Sequence, residues 1–228
     1  MTVSGATTCV GLEVRARQSL GASSDAIHRM VAGAIERHDI SGSRVFDVGC
    51  GHGSLRAALQ HRFTEYRGLD AVRYSGFPKE AEFTHVDLDR ENWPVASGGG
   101  DLVAAVETIE HLENPWAFVR QLAALAAPGG WVIVTTPNQL SMLSVLTLIL
   151  KRRFSAFQDA QYPAHRTALL ECDLRRVTEA GGLEVVEVGY SLRGRVPLTG
   201  WHYPVAVARR WPRTLSDNVM IVARKPRA

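Results

Sequence analysis

Apolar residues recur at the spacing of one helical face at Ile27, Met30, Val31, Ala34 and Ile35, which predicts an amphipathic helix capped by Ser24 or Asp25. Short apolar runs over 45–48, 66–70, 83–87, 101–106 and 131–135 predict strands, with helical patterns over 55–63 and 115–126 between them. Asn114 caps the second of these helices, Pro115 fits its first turn, and Pro128-Gly129-Gly130 ends it. A helix over 167–180 stops at Gly181-Gly182, and 183–188 and 219–223 supply two late strands. Alternation of this kind needs crossover connections, and so predicts an α/β fold, a mostly parallel sheet with helices on both faces. Two stretches break the rhythm, 140–161 and 193–217, and both are candidate insertions over a site. The first twenty residues read as a loosely ordered arm.

Composition narrows the class. A chain of 228 residues that is 46% hydrophobic suits one domain with a core and argues against extended disorder. The net charge of +3 is too mild to imply nucleic acid. Cys9, Cys50 and Cys172 are odd in number and lie outside any CxxC spacing, which argues against a disulfide framework or zinc knuckle and fits a reducing, cytoplasmic setting. The opening residues lack the order of a secretory signal. The longest mostly apolar stretch, 140–150, is 11 residues, whereas spanning a bilayer takes roughly 20.

The chemistry concentrates after the first strand, in Asp47-Val48-Gly49-Cys50-Gly51-His52-Gly53. Glycines between a buried strand and a helix let the backbone turn sharply and approach a ligand. The spacing is GxGxG rather than the GxGxxG of a dinucleotide fingerprint, and the Lys and Ser/Thr of a P-loop are missing. Asp47 would repel a pyrophosphate but suits an ammonium. Asp70 and Asp87 close the next two strands, where one carboxylate can accept ribose hydroxyls and the other an adenine amino group.

With Gly68-Leu69-Asp70, Val86-Asp87-Leu88, Glu107-Thr108-Ile109-Glu110-His111 and Thr135-Thr136-Pro137-Asn138 added, the chain resembles the class I S-adenosylmethionine-dependent methyltransferases over roughly residues 42–190. The resemblance implies a Rossmann-like, doubly wound sheet of seven strands with the last reversed, residues 219–223 being that strand. It divides the chain into an arm and helix over 1–40 and a methyltransferase domain over 41–228, with lid segments at about 140–166 and 192–217. It also implies an S-adenosylmethionine site made by Asp47, Gly49, Cys50, Gly51, Gly53, Asp70, Ala71, Asp87, Leu88 and Glu107. Only about a dozen residues separate Asp70 from Phe83, so the usual intervening helix must be short or missing.

Methyl transfer from a sulfonium needs alignment, exclusion of water and, for a hydroxyl acceptor, a base. His111 and Glu110 follow the fourth strand and are the catalytic candidates. The segment Glu107-x-x-Glu110-His111 is also similar to the metal-binding segment of Hen1-type RNA 2′-O-methyltransferases and of ubiquinone-biosynthesis O-methyltransferases. With His165, these residues would suit Mg²⁺ or Mn²⁺. The leading expectation is O-methylation of a small molecule such as a sugar, lipid-linked or secondary-metabolite acceptor. The alternatives are a metal-dependent RNA 2′-O-methyltransferase, which the near-neutral charge disfavours, and a non-catalytic cofactor-binding protein. The apolar segment 140–154 is expected to pack as a helix over the acceptor pocket, or to make a peripheral membrane contact through its Lys151-Arg152-Arg153 end.

Overall fold

The strands foreseen from the apolar runs all form, and the residues of the inner ones alternate between two cores. In strand β1 (Gly42–Val48), Val45 faces one core and Phe46 and Val48 the other. In β4 (Gly100–Ala105), Leu102 and Ala104 alternate with Val103 and Ala105 in the same way. Residues apolar on both faces can only be satisfied in the middle of a covered sheet. The computed structural model describes residues 13–227 except Arg15, Leu20 and Gln60. Residues 1–12 of the foreseen arm, Cys9 among them, lie outside the described residues.

The remaining elements follow in chain order around that sheet. Helix α1 (Asp25–Arg37) precedes β1, and the short α2 (Arg56–Leu59), β2 (Phe63–Asp70) and β3 (Glu82–His85) follow it. After β4 come a 3-10 turn (Ile109–His111), α3 (Pro115–Leu125) and β5 (Ala126–Pro137). The chain closes with α4 (Met142–Lys151), a second 3-10 turn (Asp159–Gln161), α5 (Glu171–Ala180), β6 (Glu184–Tyr190), α6 (Val205–Ala208) and β7 (Asn218–Arg224). The seven strands lie in the order β3-β2-β1-β4-β5-β7-β6. All neighbours from β3 to β5 are parallel, and β7 runs antiparallel to both β5 and β6. Helix α1 buries Ile27, Met30, Val31, Ala34 and Ile35 against Val45, Ile133 and Met220 on one face. On the other face, Phe118, Leu122, Leu174 and Val177 of α3 and α5 pack on Phe46, Val103 and Val132.

Three expected boundaries shift. The helix foreseen over 55–63 contracts to Arg56–Leu59, because Phe63 opens β2 opposite Gly42 and is buried. Strand β5 begins at Ala126 and runs through Pro128-Gly129-Gly130 with a register shift opposite Gly100 to Leu102. A bulge lets proline, which lacks an N–H, stay in the ladder. Helix α5 begins at Glu171 rather than Thr167, whose backbone N–H and hydroxyl are instead donated to the carbonyls of Glu110 and Leu112.

Between β2 and β3 there is no regular helix. Phe77 fills part of that space, buried edge-on against Phe83 at 5.2 Å between ring centroids and 6.2 Å from Tyr66. No helix among the described residues is long and apolar enough to cross a membrane. Replacing Phe77 with Ala opens a cavity under an edge strand already short of cover. The expected loss is about 3–5 kcal/mol, measured by urea unfolding; a loss below about 1 kcal/mol would show that the loop collapses to refill the space.

Candidate active site

Parallel pairing of β1 with β2 and β4 brings the carboxyl ends of these strands to one edge, where open sheets bind ligands. At that edge lies a cavity of about 260 Å³. One wall is the glycine loop with Asp47, Gly49, Cys50, Asp70, Ala71 and Leu88; the other is Glu107, Thr108, Glu110, His111 and His165.

The loop leaves β1 with Gly49 N–H donating to the Leu69 carbonyl at 2.7 Å. Gly49 has φ +73°, and a Cβ there would sit 2.3 Å from Thr108 Oγ1. Gly51 has φ +52°, and a Cβ there would meet the Gly21 carbonyl at 2.1 Å. Neither position tolerates a side chain. Gly51 N–H donates to Asp70 Oδ2 at 2.9 Å, which ties the loop to the end of β2. Gly53 and Gly51 shape the turn without lining the cavity.

Asp47 is buried and accepts a hydrogen bond from the Tyr66 hydroxyl. Burial pushes its carboxyl up to about 7, the Asp70 charge adds to the rise and the Tyr66 bond opposes it. Asp70 is raised by burial too, while the N–H groups of Gly51, Val72 and Ala71 pull it down. The Cys50 thiol is pushed well up by burial and by both carboxylates, so it stays protonated and inert. Asp87 departs from the expected arrangement. Its carboxylate pairs with Arg90 at 3.1 Å and accepts from Asp89 N–H at 3.2 Å, and Leu88 is the residue of that pair on the cavity wall.

On the opposite wall, Glu107 has φ +50°, which turns its side chain back toward the sheet. Thr135 Oγ1 and Asn218 Nδ2 each donate to one of its oxygens at 2.8 Å. Glu110 is buried and accepts from Thr136 Oγ1 at 3.2 Å. Burial raises both acids, and the charge of Glu107 raises Glu110 further. His111 Nδ1 contacts the Ala164 carbonyl at 2.9 Å and His165 Nδ1 the Ala156 carbonyl at 2.7 Å. Since a carbonyl only accepts, both Nδ1 atoms carry a proton, so a ring in its neutral form has its lone pair at Nε2. The two rings meet edge-on at 4.8 Å.

Ligand atoms of Glu110, His111 and His165 all lie within 4.8 Å of one another, and one carboxylate with two imidazoles suits a first-row transition ion, Mn²⁺ among them, better than the all-oxygen cation Mg²⁺. The carbonyl contacts orient both rings as metal-bound histidines are commonly oriented. Glu107, expected in this set, lies outside it, because its two oxygens are committed to Thr135 and Asn218.

One part of the site escaped the sequence reading. The arm before α1 lies across the glycine loop, with the Gly21 carbonyl accepting from His52 N–H at 2.9 Å and the Ala16 carbonyl from the Tyr74 hydroxyl at 2.6 Å. Ser19, Ser23 and His28 thereby join the cavity wall. The only signal was the run of small residues Gly21-Ala22-Ser23-Ser24. Helix α4, conversely, does not line the cavity, and of its side chains only Ser144 is buried.

The raised Asp47 sets a pH dependence. Between its ordinary value near 4 and its folded value near 7, the native state holds this proton more tightly than the unfolded chain. Its contribution therefore becomes less favourable as pH rises through that window and is worst above it. Asp47→Asn is expected to stabilise the ligand-free protein at pH 8, by up to about 4 kcal/mol, and to change little at pH 4. Urea unfolding at the two pH values checks this; equal gains at both would sink the assignment.

A methyltransferase-domain family model matches residues 15–188. A ubiquinone biosynthesis O-methyltransferase of Chromobacterium violaceum is 31% identical over 127 residues, covering 50% of this chain and 53% of that protein. A namesake from Psychrobacter arcticus is 24% identical over 200 residues, covering 83% and 74%. The chain thus spans about half the length of the more identical curated relatives it matches. Among solved structures, an S-adenosylmethionine-dependent methyltransferase from Archaeoglobus fulgidus superposes with a TM-score of 0.62 at 16% identity, covering 87% of this chain and 94% of the other. The 1,6-didemethyltoxoflavin-N1-methyltransferase of Burkholderia thailandensis, with S-adenosylhomocysteine bound, gives 0.58 at 14% identity over 89% and 80%. The motifs, the strand order and the family match agree: the chain belongs to the methyltransferase-domain family, in its class I S-adenosylmethionine-dependent branch.

Proposed function

We propose that the protein transfers the methyl group of S-adenosylmethionine to a hydroxyl oxygen of a small-molecule acceptor. The observation that carries this reading is one cavity with Asp47 and Asp70 on one wall and Glu110, His111 and His165 on the other. Asp47 suits the ammonium of the cofactor, whose positive charge restores the ionised carboxylate that burial disfavours. Asp70 suits the ribose hydroxyls. Oxygen is the favoured acceptor atom because His111 offers a lone pair at Nε2 and because the curated relatives are named O-methyltransferases. In the transfer, the acceptor oxygen bonds the methyl carbon, the carbon–sulfur bond breaks with its electron pair left on sulfur, and the hydroxyl proton passes to His111. Walls that exclude water and hold the reactants in line supply most of the acceleration. The RNA-modifying alternative has no support among the relatives named above.

Glu110, His111 and His165 would hold a divalent cation if the enzyme uses one. Such an ion would lower the acceptor hydroxyl's pKa and replace His111 as the activating group. Activity is then expected to vanish on chelation and return with Mg²⁺ or Mn²⁺. Full activity after exhaustive chelation leaves His111 as the base, and His111→Ala should lower kcat by roughly 10² or more with cofactor affinity unchanged.

Labelled S-adenosylmethionine offered with hydroxylated acceptors tests the main reading, the expected product being a base-stable labelled ether. Cofactor binding without transfer to any acceptor would point to the non-catalytic alternative. Asp70→Ala is expected to weaken S-adenosylmethionine binding by about 1–3 kcal/mol, measured by calorimetry; native affinity in this variant would remove the ribose assignment.

A further inference from the structure

The two insertions are separate in sequence but leave the sheet at one corner. The first departs after Pro137 at the end of β5, and the second returns at Asn218 at the start of β7, residues paired with each other in the sheet. Met142 N–H donates to the Thr214 carbonyl at 2.7 Å, and the Tyr203 hydroxyl lies 3.3 Å from Met142 Sδ. Asn138 Nδ2 donates to the carbonyls of Arg213 and Ser216 at 2.6 and 2.8 Å. The two segments are therefore tied to each other.

Large apolar side chains stand in solvent on this pair. Ile149 is 71% exposed and Leu150 66% on α4, and Leu198 is 94% and Trp201 80% exposed on the second insertion. Several large apolar side chains exposed on one linked pair of segments point to a contact. Charge says with what. Residues 140–161 and 193–217 carry eight of the chain's 26 Lys and Arg and only two of its 23 Asp and Glu. The rest of the chain is net acidic, so the positive charge of the molecule resides on these segments. Lys151, Arg152, Arg209 and Arg210 are exposed, and the Arg210 guanidinium lies 5.5 Å from the centre of the Trp211 ring.

We propose that this two-insertion face docks on an anionic lipid surface. Aliphatic and indole side chains enter the boundary between headgroups and acyl chains, while the cations meet the phosphates. A nucleic acid would use the arginines and the indoles but would leave Ile149, Leu150 and Leu198 in water. The first insertion then runs on to His165 in the cavity wall, so docking would tie the site to a bilayer that holds an apolar acceptor. This last consequence rests on the proposed methyl transfer; docking itself does not, and its test uses no turnover.

The test is co-sedimentation of the full chain with phosphatidylcholine vesicles containing about one-third phosphatidylglycerol, against phosphatidylcholine alone. Binding is expected to the anionic vesicles, to weaken with salt, and to fall about tenfold or more in Ile149→Asp with Trp201→Asp and in Arg209→Glu with Arg210→Glu. The variants should keep the native thermal midpoint and S-adenosylmethionine affinity, since all four residues are exposed and outside the cavity. Should a variant misfold, a blue shift of native tryptophan fluorescence on adding anionic vesicles supplies the same reading. The proposal is overturned if the native chain stays in the supernatant at low ionic strength, or if the variants bind like the native chain. It is equally overturned if the face is occupied instead by a second copy, seen as a dimer that the variants dissolve, or by RNA retained in place of lipid.

Discussion

Four carboxyl groups are held out of water at one edge of this sheet, and much of the surrounding structure answers to that constraint. Asp47, Asp70, Glu107 and Glu110 all stand above their ordinary range because burial disfavours their charge. An unpaired buried charge is among the most unfavourable features a fold can carry. Each acid is accordingly given donors: Tyr66 for Asp47, the Gly51 and Val72 amides for Asp70, Thr135 and Asn218 for Glu107, and Thr136 for Glu110. The donors come from β2, the loops beside it, β5 and β7, so the acids bind the sheet together. Bulk hydrophobic packing builds the two cores, and this polar network sets where the site is.

The cavity is closed from two directions by pieces distant in sequence. The arm before α1 is seated on the glycine loop through the Gly21 carbonyl. The first insertion returns to the turn after β4, where Arg166 and Thr167 N–H both donate to the Glu110 carbonyl at 2.9 and 3.0 Å and Arg166 pairs with Glu113. That clamp carries His165 to His111. Residues from strand ends, from the arm and from an insertion thus share one partly open cavity, which brings groups distant in sequence into alignment.

Much of this was legible in the chain alone. Apolar alternation in 45–48, 101–106 and 131–135 is a local property that reports burial on both faces, and it identified the central strands. The GxGxG loop and the acids Asp47 and Asp70 were legible as neighbours at one sheet edge, because the positive φ at Gly49 and Gly51 and the strand-end placement of Asp47 and Asp70 follow from local backbone demands. Helix α1 matched residue by residue for the same reason.

Other features depended on contacts that no local pattern encodes. The same Glu107-x-x-Glu110-His111 spacing suggested a shared ligand set, yet Glu107 turns to Thr135 and Asn218, a choice made by strand pairing far along the chain. Asp87, foreseen at the end of its strand, lies two residues beyond β3 and is taken by Arg90. The apolar run in α4 announced something to be covered without saying whether the cofactor cleft covers it, and packing left it facing outward. Sequence alone determined which residues are apolar, which turn sharply and which bear charge, since these are properties of neighbours along the chain. Only the tertiary structure decided which of the charged groups meet, because that depends on how the strands pair and where the insertions fold back.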